Sequence, residues 1–203
     1  MEIKKLEVGS LETNCYILQA DDELAVVDPG ADPERIISEL ETIAGTESRV
    51  KFVLATHFHW DHVEGAGKLV DRLDTECYLG EKDRELFTKS IEADLSPTRL
   101  LKEGDSVEVS SSKLEVLETP GHSPGSITLV DRTGNNLLVG DLLFSTGFGR
   151  TDLPGGSKAD LEDSLARIVN LTGDWKVFPG HGPVFNLKDK LASSPFLSEL
   201  KQG

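Results

Sequence analysis

The stretch THFHWDHVEG, residues 56–65, places three histidines and an aspartate within six consecutive positions, although the chain of 203 residues has only five histidines. The preceding run KFVLA is typical of a buried strand and the following run VEGAGKLVDRL of a helix, so the cluster lies on the loop between them. Alternate side chains of extended backbone project to the same side, so His57 and His59 can reach one cation. Asp61 and His62, at the start of the helix, can turn toward another. The stretch therefore predicts a site for two adjacent metal ions.

The other two histidines, and two of the aspartates, also lie at the ends of predicted strands. His122 follows LEVLETPG, His181 follows WKVFPG, Asp141 ends NNLLVGD, and Asp28 ends LAVVD. Each comes at or just past the C-terminal end of a predicted strand. Imidazole and carboxylate suit Zn²⁺, Fe²⁺ or Mn²⁺, and Asp141 has two carboxylate oxygens with which to bridge a pair of ions.

Runs of strand precede helices in both halves of the sequence. In the first half, IKKLEV, NCYILQA and LAVVDPG read as strands before a helix that Asp32 and Pro33 open and Gly45 ends. ECYLG and a polar helical stretch near residues 81–93 follow. In the second half, KLEVLETPGH, GSITLVD and NNLLVGD read as strands before a helix at KADLEDSLARIVNL, and WKVFPGH reads as the last strand.

This order of elements predicts an α+β fold in which two sheets pack face to face with helices outside, and not one doubly wound parallel sheet. No linker and no fixed-period repeat interrupts the chain, so we expect one domain over residues 1–203. Cys15 and Cys77 lie in strand-like runs without CxxC spacing. We expect both to be buried thiols and not a disulfide or metal ligands.

The charge of the chain disfavours several kinds of partner. Lys and Arg number 21 against 36 Asp and Glu, for a net charge of -15. Such a surface repels nucleic acid phosphates and anionic membranes, so we expect no partner of either kind. The N-terminus lacks the apolar stretch of a secretory signal, and no segment approaches the roughly 18 apolar residues of a membrane span. We therefore expect a cytoplasmic location, while the oligomeric state stays open.

The order of these ligand-type residues resembles the metallo-β-lactamase superfamily, and the resemblance covers nearly the whole chain. It implies an αββα four-layer sandwich with a dinuclear metal site between the sheets. The resemblance implies that one metal is held by His57, His59 and His122, and the other by Asp61, His62 and His181, with Asp141 between them. It also implies that Asp28 supports the site from behind the ligands, although Asp28 can instead simply cap the turn at DPG.

Two stretches, GDLLFSTGFGRTDLPGGS and VFPGHGP followed by SSPFL, resemble the short members of the glyoxalase II group, the hydroxyacylglutathione hydrolases. This resemblance implies hydrolysis of a small-molecule thioester such as S-lactoylglutathione by a hydroxide bridging two divalent metals. Asp61 and Asp141 would be the catalytic residues. Zn²⁺ is the first choice of metal, with Fe²⁺ and Mn²⁺ as alternatives.

Two residues are candidates for substrate binding. Arg150 falls where the longer enzymes of the group keep a lysine that contacts the glycine carboxylate of glutathione, although an ion pair with Asp152 is the alternative. Trp60 can line the mouth of the pocket or pack beside the loop. Asp152 and Pro183 stand where the longer enzymes have tyrosines for the thiol half, and those enzymes also carry a C-terminal helical domain. The thiol carrier is therefore open.

Other functions use the same residues. A persulfide dioxygenase, a relative with one Fe²⁺, would need His57, His122 and Asp141, a two-histidine, one-carboxylate set. A lactonase and a non-catalytic metal-binding protein are further alternatives. Hydrolysis of β-lactam antibiotics is disfavoured, because many true β-lactamases place a cysteine where this chain has Asp141.

Overall fold

The strands form two sheets of six in the computed structural model, which describes residues 1–44, 49–90 and 95–202. The first sheet contains, in spatial order, β1 (Glu2–Val8), β2 (Thr13–Ala20), β3 (Glu23–Val27), β4 (Arg49–Ala55), β5 (Glu76–Gly80) and β6 (Arg99–Leu101). Strands β1 to β3 are antiparallel, and β3 to β6 are parallel.

The second sheet has the same simple order. It contains β7 (Ser106–Val109), β8 (Ser112–Glu118), β9 (Ile127–Asp131), β10 (Asn136–Gly140), β11 (Lys176–Pro179) and β12 (Phe185–Asn186). Neighbouring strands are antiparallel except for β10 and β11, which are parallel.

Strand β2 shows how the sequence builds the layers, because it is buried along nearly its whole length. Tyr16 and Leu18 pack in the core between the two sheets. Cys15 and Ile17 point to the opposite face and pack in a separate cluster beneath helices. A strand that is apolar on both faces requires a layer on each side of it. The sequence of β2 alone therefore excludes a simple two-layer protein.

Helices cover the outer face of each sheet. They are α1 (Pro33–Ala44), α2 (Trp60–Val63), α3 (Ala66–Leu73), α4 (Arg84–Ser90), α5 (Lys158–Val169), α6 (Leu187–Ser193) and α7 (Pro195–Gln202). Helices α1 and α3 pack on the first sheet, and α5, α6 and α7 pack on the second. The αββα sandwich is confirmed. Within the described ranges, no helix is both long enough and apolar enough to cross a bilayer.

Several local predictions needed correction. The helix predicted at VEGAGKLVDRL is broken between α2 and α3, where the Gly65 N–H donates to Pro29 O at 2.9 Å and so ties the chain to the DPG turn. WKVFPGH is not the last strand, because β12 follows it. The patterns also missed β6, β7, α6 and α7. These elements are too short to show a periodicity of their own.

Two predictions touch residues outside the described ranges. The helix end at Gly45 lies outside them, and so does the last part of the helix predicted near 81–93. Before that gap the chain forms a 3₁₀ turn at Glu81–Asp83 and then α4. Cys15 and Cys77 are buried free thiols, as predicted.

Candidate metal centre

The predicted ligands meet at one edge of the sandwich because of the strand directions. In the first sheet β3 and β4 are parallel, so Asp28 and the histidine loop leave it at the same edge. In the second sheet β8 runs antiparallel to β9, and β9 to β10, so β8 and β10 share a direction, which β11 also follows. The C-terminal ends of β4, β8, β10 and β11 therefore deliver all seven predicted metal ligands to one place.

The ligand atoms form three overlapping groups, each with its atoms within 4.8 Å of one another. The groups are His57, His59 and His122; His57, His62 and Asp141; and Asp61, His62 and His181. Since His57 and His62 each belong to two groups, the seven side chains make one continuous cluster. The structure thus brings both predicted sets of ligands together at one site.

Asp141 lies between the two predicted ligand sets. Its Oδ1 is 3.4 Å from His62 Nε2, and its Oδ2 is 3.5 Å from His122 Nε2 and 3.7 Å from His181 Nε2. Gly180 makes this approach possible, because a Cβ at that position would lie 2.1 Å from Asp141 Oδ1. The carboxylate therefore faces imidazoles of both sets, as a bridging ligand must.

Unpaired polar atoms in the cluster fit a divalent metal. Among the described residues, His57 Nε2, His62 Nε2 and Asp141 Oδ1 are buried without a hydrogen-bond partner, and His59 Nδ1 lies 2.8 Å from His122 Nε2. Buried polar atoms are normally paired, so these unpaired atoms and the close pair of imidazole nitrogens call for a ligand. Imidazole nitrogen and carboxylate oxygen are the donors that Zn²⁺ and similar ions take.

Backbone carbonyls orient two of the imidazoles. His122 Nδ1 lies 2.8 Å from Arg150 O, and His181 Nδ1 lies 3.1 Å from Leu11 O. A carbonyl can only accept, so each Nδ1 carries a proton and each Nε2 faces the cluster, where it can bind a metal once it is deprotonated.

The electrostatics of the cluster divide its histidines into two kinds. Burial and neighbouring imidazoles hold the pKa of His57 well below its usual value and lower the pKa of His59 to about 4. Both are therefore neutral at pH 7, as metal ligands must be. Burial also opposes charge on His62, but Asp141 and Asp28 outweigh it and raise the pKa of His62 well above its usual value. Against its own burial, contacts with His181 and the charge of His62 lower the pKa of Asp61 to about 2.

Asp28 supports the cluster from behind. Its side chain accepts hydrogen bonds from the Thr56 N–H at 2.7 Å and the Thr56 hydroxyl at 2.8 Å, and it lies 3.0 Å from His62 Nδ1. It also shapes the DPG turn, in which the Gly30 N–H donates to Asp28 O. Gly30 is needed there, because a Cβ would lie 1.5 Å from Asp61 O. The Asp28 side chain thus contacts Thr56 and His62 behind the ligands, in line with the supporting role that the resemblance implied.

Asp83 is a buried carboxylate that sequence reasoning missed. Its Oδ2 accepts from the Phe58 N–H at 3.0 Å and from the Ser123 hydroxyl at 2.7 Å, and its Oδ1 accepts from the Gly125 N–H at 2.6 Å. Burial raises the pKa of Asp83 although these hydrogen bonds favour the carboxylate. A signal was available, since Asp83 follows the strand ECYLG at the same edge as the ligands.

Asn14 is the second missed residue. Its side-chain amide donates to Pro179 O at 2.9 Å and Gly182 O at 2.8 Å, and its backbone N–H donates to Gly180 O at 2.7 Å. Strand β2 thereby holds the loop that carries His181.

The two predicted substrate-binding residues both lie at the surface near the cluster. Trp60 begins α2 between two predicted ligands and is 49% exposed, so it is not packed away beside the loop. Arg150 makes a bidentate ion pair with Asp152, with two N–H···O distances of 2.7 Å. The structure thus shows the ion pair that was the alternative for Arg150.

A two-sheet αββα sandwich with a His/Asp metal-binding cluster at one edge is the arrangement of a metallo-β-lactamase fold. The sequence profile of the Metallo-beta-lactamase superfamily matches residues 8–181, and the chain belongs to this superfamily. The resemblance predicted from the motif is confirmed.

Known proteins of the superfamily match this chain along nearly its whole length. Hydroxyacylglutathione hydrolase GloC of Haemophilus influenzae is 31% identical, over 98% of this chain and 99% of that protein. BLEG-1, whose structure is described as a B3 metallo-beta-lactamase, has a TM-score of 0.88 at 30% identity, covering 97% of this chain and 100% of that one. TTHA1623, solved in a di-iron-bound form, has a TM-score of 0.82 at 32% identity, covering 95% and 99%. This chain is thus a metallo-hydrolase of the superfamily.

Proposed function

We propose that this protein is a metal-dependent hydrolase that cleaves a small-molecule thioester at a site for two divalent ions. The observation that carries the proposal is the position of Asp141, whose carboxylate faces His62, His122 and His181 within 3.7 Å. One carboxylate between two complete sets of donors is the arrangement that a pair of metals requires.

The bound metals would be held by His57, His59 and His122 on one side and by Asp61, His62 and His181 on the other. When bound, such a pair lowers the pKa of water toward about 7 and polarises a carbonyl oxygen. Zn²⁺ is our first choice, and the di-iron form of TTHA1623 keeps Fe²⁺ as an alternative beside Mn²⁺.

We propose that Asp61 orients the attacking water. Its Oδ2 lies 3.2 Å from His181 Nε2 and accepts from the Thr13 hydroxyl at 3.3 Å, so the carboxylate is fixed from two directions. With a pKa of about 2 it stays ionised at neutral pH and accepts hydrogen bonds from water. The leaving thiol has a pKa of about 8.5, so it departs as thiolate without a strong general acid. No further acid is therefore needed in the cluster.

The thioester class is supported by the hydroxyacylglutathione hydrolase GloC relative, which matches 98% of this chain over 99% of its own length. The net charge of -15 favours a small-molecule substrate over nucleic acid or an anionic membrane, and we propose a cytoplasmic enzyme. A persulfide dioxygenase is the second candidate, because His122 Nε2 lies 3.5 Å from Asp141 Oδ2, and His57 belongs to one ligand group with His122 and to another with Asp141.

Metal analysis and parallel assays test the proposal. The purified protein is analysed for bound metal and assayed with S-D-lactoylglutathione, an acyl lactone, a chromogenic cephalosporin and, by oxygen uptake, glutathione persulfide. About two metal ions per chain with thioester cleavage and no oxygen uptake would support the hydrolase. About one iron per chain with oxygen uptake would establish the dioxygenase instead.

A matched pair of variants separates catalysis from folding. Asp141→Asn removes the bridging charge, and Asp131→Asn changes a buried aspartate at the end of β9. We expect thioester cleavage to collapse in the first variant and persist in the second. Metal binding without turnover of any substrate by the unmodified protein would contradict the proposal and indicate a non-catalytic metal-binding protein.

A further inference from the structure

The large hydrophobic side chains that are exposed in the described part of the chain are Leu11, Trp60 and Phe148, at 51%, 49% and 48%. Single exposed hydrophobic residues are ordinary on a protein surface and need no explanation. Their location is what matters here, because each one lies on a segment that carries or contacts the metal cluster.

Three different segments bring these residues to the cluster. Leu11 lies in the turn between β1 and β2, and its carbonyl contacts His181 Nδ1 at 3.1 Å. Trp60 stands between His59 and Asp61. Phe148 precedes Gly149, where a Cβ would lie 1.9 Å from Asp141 O. We call Leu11, Trp60 and Phe148 the apolar rim.

The Phe148 part of the rim is held in place before any substrate arrives. Phe148 forms a β-bridge with Leu143, and its ring lies 5.6 Å from the ring of Phe196 on α7. The ring of Phe144, four residues before Phe148, lies 6.1 Å from that of His181. A rigid aromatic surface beside a reactive centre binds apolar groups at a low cost in conformational entropy.

The charges near the rim do not favour a carboxylate-rich carrier. Arg150, the candidate for the glycine carboxylate of glutathione, already pairs with Asp152 through both carboxylate oxygens. A carboxylate of the substrate would have to displace Asp152 from Arg150, and the net charge of -15 would also repel it.

We propose that the apolar rim binds an alkyl or aryl group next to the scissile carbonyl, so that the preferred substrates are hydrophobic thioesters. This inference rests on the proposed thioester hydrolysis at the same cluster. Water adds its oxygen to the carbonyl carbon, the C–S bond breaks, and the products are a carboxylic acid and a thiol, with no change of oxidation state. The apolar group can belong to the acyl half or to the thiol half.

Two substrate series distinguish these halves. One series lengthens the acyl chain from acetyl to hexanoyl on N-acetylcysteamine, and the other lengthens the thiol from ethanethiol to hexanethiol in acetyl thioesters. We expect kcat/KM to rise about twofold to fourfold per added methylene in one series, the gain when each CH₂ leaves water. That series identifies the half of the substrate that contacts the rim.

Variants of the rim show whether the rim causes the preference. Leu11→Ser and Phe148→Ser should each flatten the dependence on chain length, whereas Phe148→Leu should retain most of it. Leu171→Ser is the matched control, because Leu171 is a partly buried leucine beyond the far end of α5 and should leave the dependence unchanged. Metal content is measured for every variant so that only proteins with equal loading are compared.

The outcomes separate this inference from the proposed function. The proposed role of the apolar rim would be wrong if thioester cleavage did not depend on chain length in either series, or if the dependence survived both serine variants. Neither result would contradict the proposed hydrolase function. If no thioester is cleaved by the metal-loaded protein, the proposed function itself fails.

Discussion

The Ser123 hydroxyl donates to Asp83 Oδ2 at 2.7 Å, and the same oxygen accepts from the Phe58 N–H at 3.0 Å. Ser123 directly follows His122, and Phe58 stands between His57 and His59. One buried carboxylate therefore joins the two loops that carry the first set of predicted metal ligands.

We expect Asp83→Asn to weaken metal binding by about tenfold to a hundredfold, the usual effect of losing a group that orients metal ligands. An asparagine side chain has one acceptor oxygen, so it cannot accept from Phe58, Ser123 and Gly125 together, and its NH₂ would face a donor. Competition with a chelator measures the affinity, and the visible spectrum of the Co²⁺-loaded protein reports the ligand geometry.

Asp131→Asn is the control for this change. Asp131 is also buried, but it ends β9, where it accepts from the Thr133 N–H, the Gly134 N–H and the Asn136 side chain. It should lower stability without altering metal affinity or the Co²⁺ spectrum. Equal effects of the two variants on affinity would show that Asp83 acts only through general stability.

Asn14→Ala should loosen the loop that carries His181. The change removes the amide donor from the carbonyls of Pro179 and Gly182, although Pro179 O keeps the Tyr16 hydroxyl at 2.6 Å, and the two lost hydrogen bonds together should cost about 1–3 kcal/mol of unfolding free energy. Because the loop carries a ligand of the second set alone, we expect one of two metal-binding steps to lose more affinity than the other. Calorimetric metal titration and urea denaturation measure the two effects.

The result for Asn14 is compared with Asn186→Ala. Asn186 caps α6 through the Lys188 N–H, so its loss should reduce stability without a selective effect on either metal. A parallel loss of affinity at both metal-binding steps in Asn14→Ala would argue against a specific role at His181.

Asp152→Asn should release Arg150 and improve the use of substrates that carry a carboxylate. Arg150 holds the pKa of Asp152 down to about 2, so the pair stays ionised at neutral pH. Without that partner, the guanidinium is free to bind a substrate carboxylate, and KM for S-lactoylglutathione should fall a few-fold. The double variant with Arg150→Gln should lose the gain. An unchanged KM in the single variant would mean that Arg150 does not face the substrate.

The metal-free protein should be most stable at about pH 6.5, the unperturbed pKa of histidine. The lowered pKa values of His57 and His59 mean that the unfolded chain binds more protons below this pH, so acid destabilises the fold. The raised pKa values of His62 and His181 have the opposite effect on the pH dependence of stability. Their stabilising contribution is complete below about pH 6.5 and is lost as the pH rises through their folded-state values.

Thermal unfolding of chelator-treated protein between about pH 5 and about pH 9 checks this prediction. His62→Gln should reduce the decline on the alkaline side, and added Zn²⁺ should remove it, because the metal replaces the proton. A metal-free protein whose Tm rises steadily through this range would contradict the assigned directions.

The sequence was sufficient for the features that depend on local spacing. His57 and His59 stand at alternate positions after the apolar run KFVLA, and His122, Asp141 and His181 each follow a predicted strand. These positions predicted the ligands, because a residue that directly follows a strand stays near the end of that strand in any fold. The run of strands before helices predicted the layers. Short strands such as β12 escaped, since two residues have no measurable periodicity.

Only the tertiary structure decided which remote groups support and surround these ligands. Asp83 reaches Ser123 across 40 positions, and Asn14 reaches Pro179 across 165. Such contacts depend on how the sheets pack, and no local pattern encodes them. The exposure of Leu11 was equally invisible, because in sequence an apolar residue after a strand reads like a core residue. The sequence by itself thus determined the chemistry of the metal centre, and the packing of the two sheets decided its geometry and its rim.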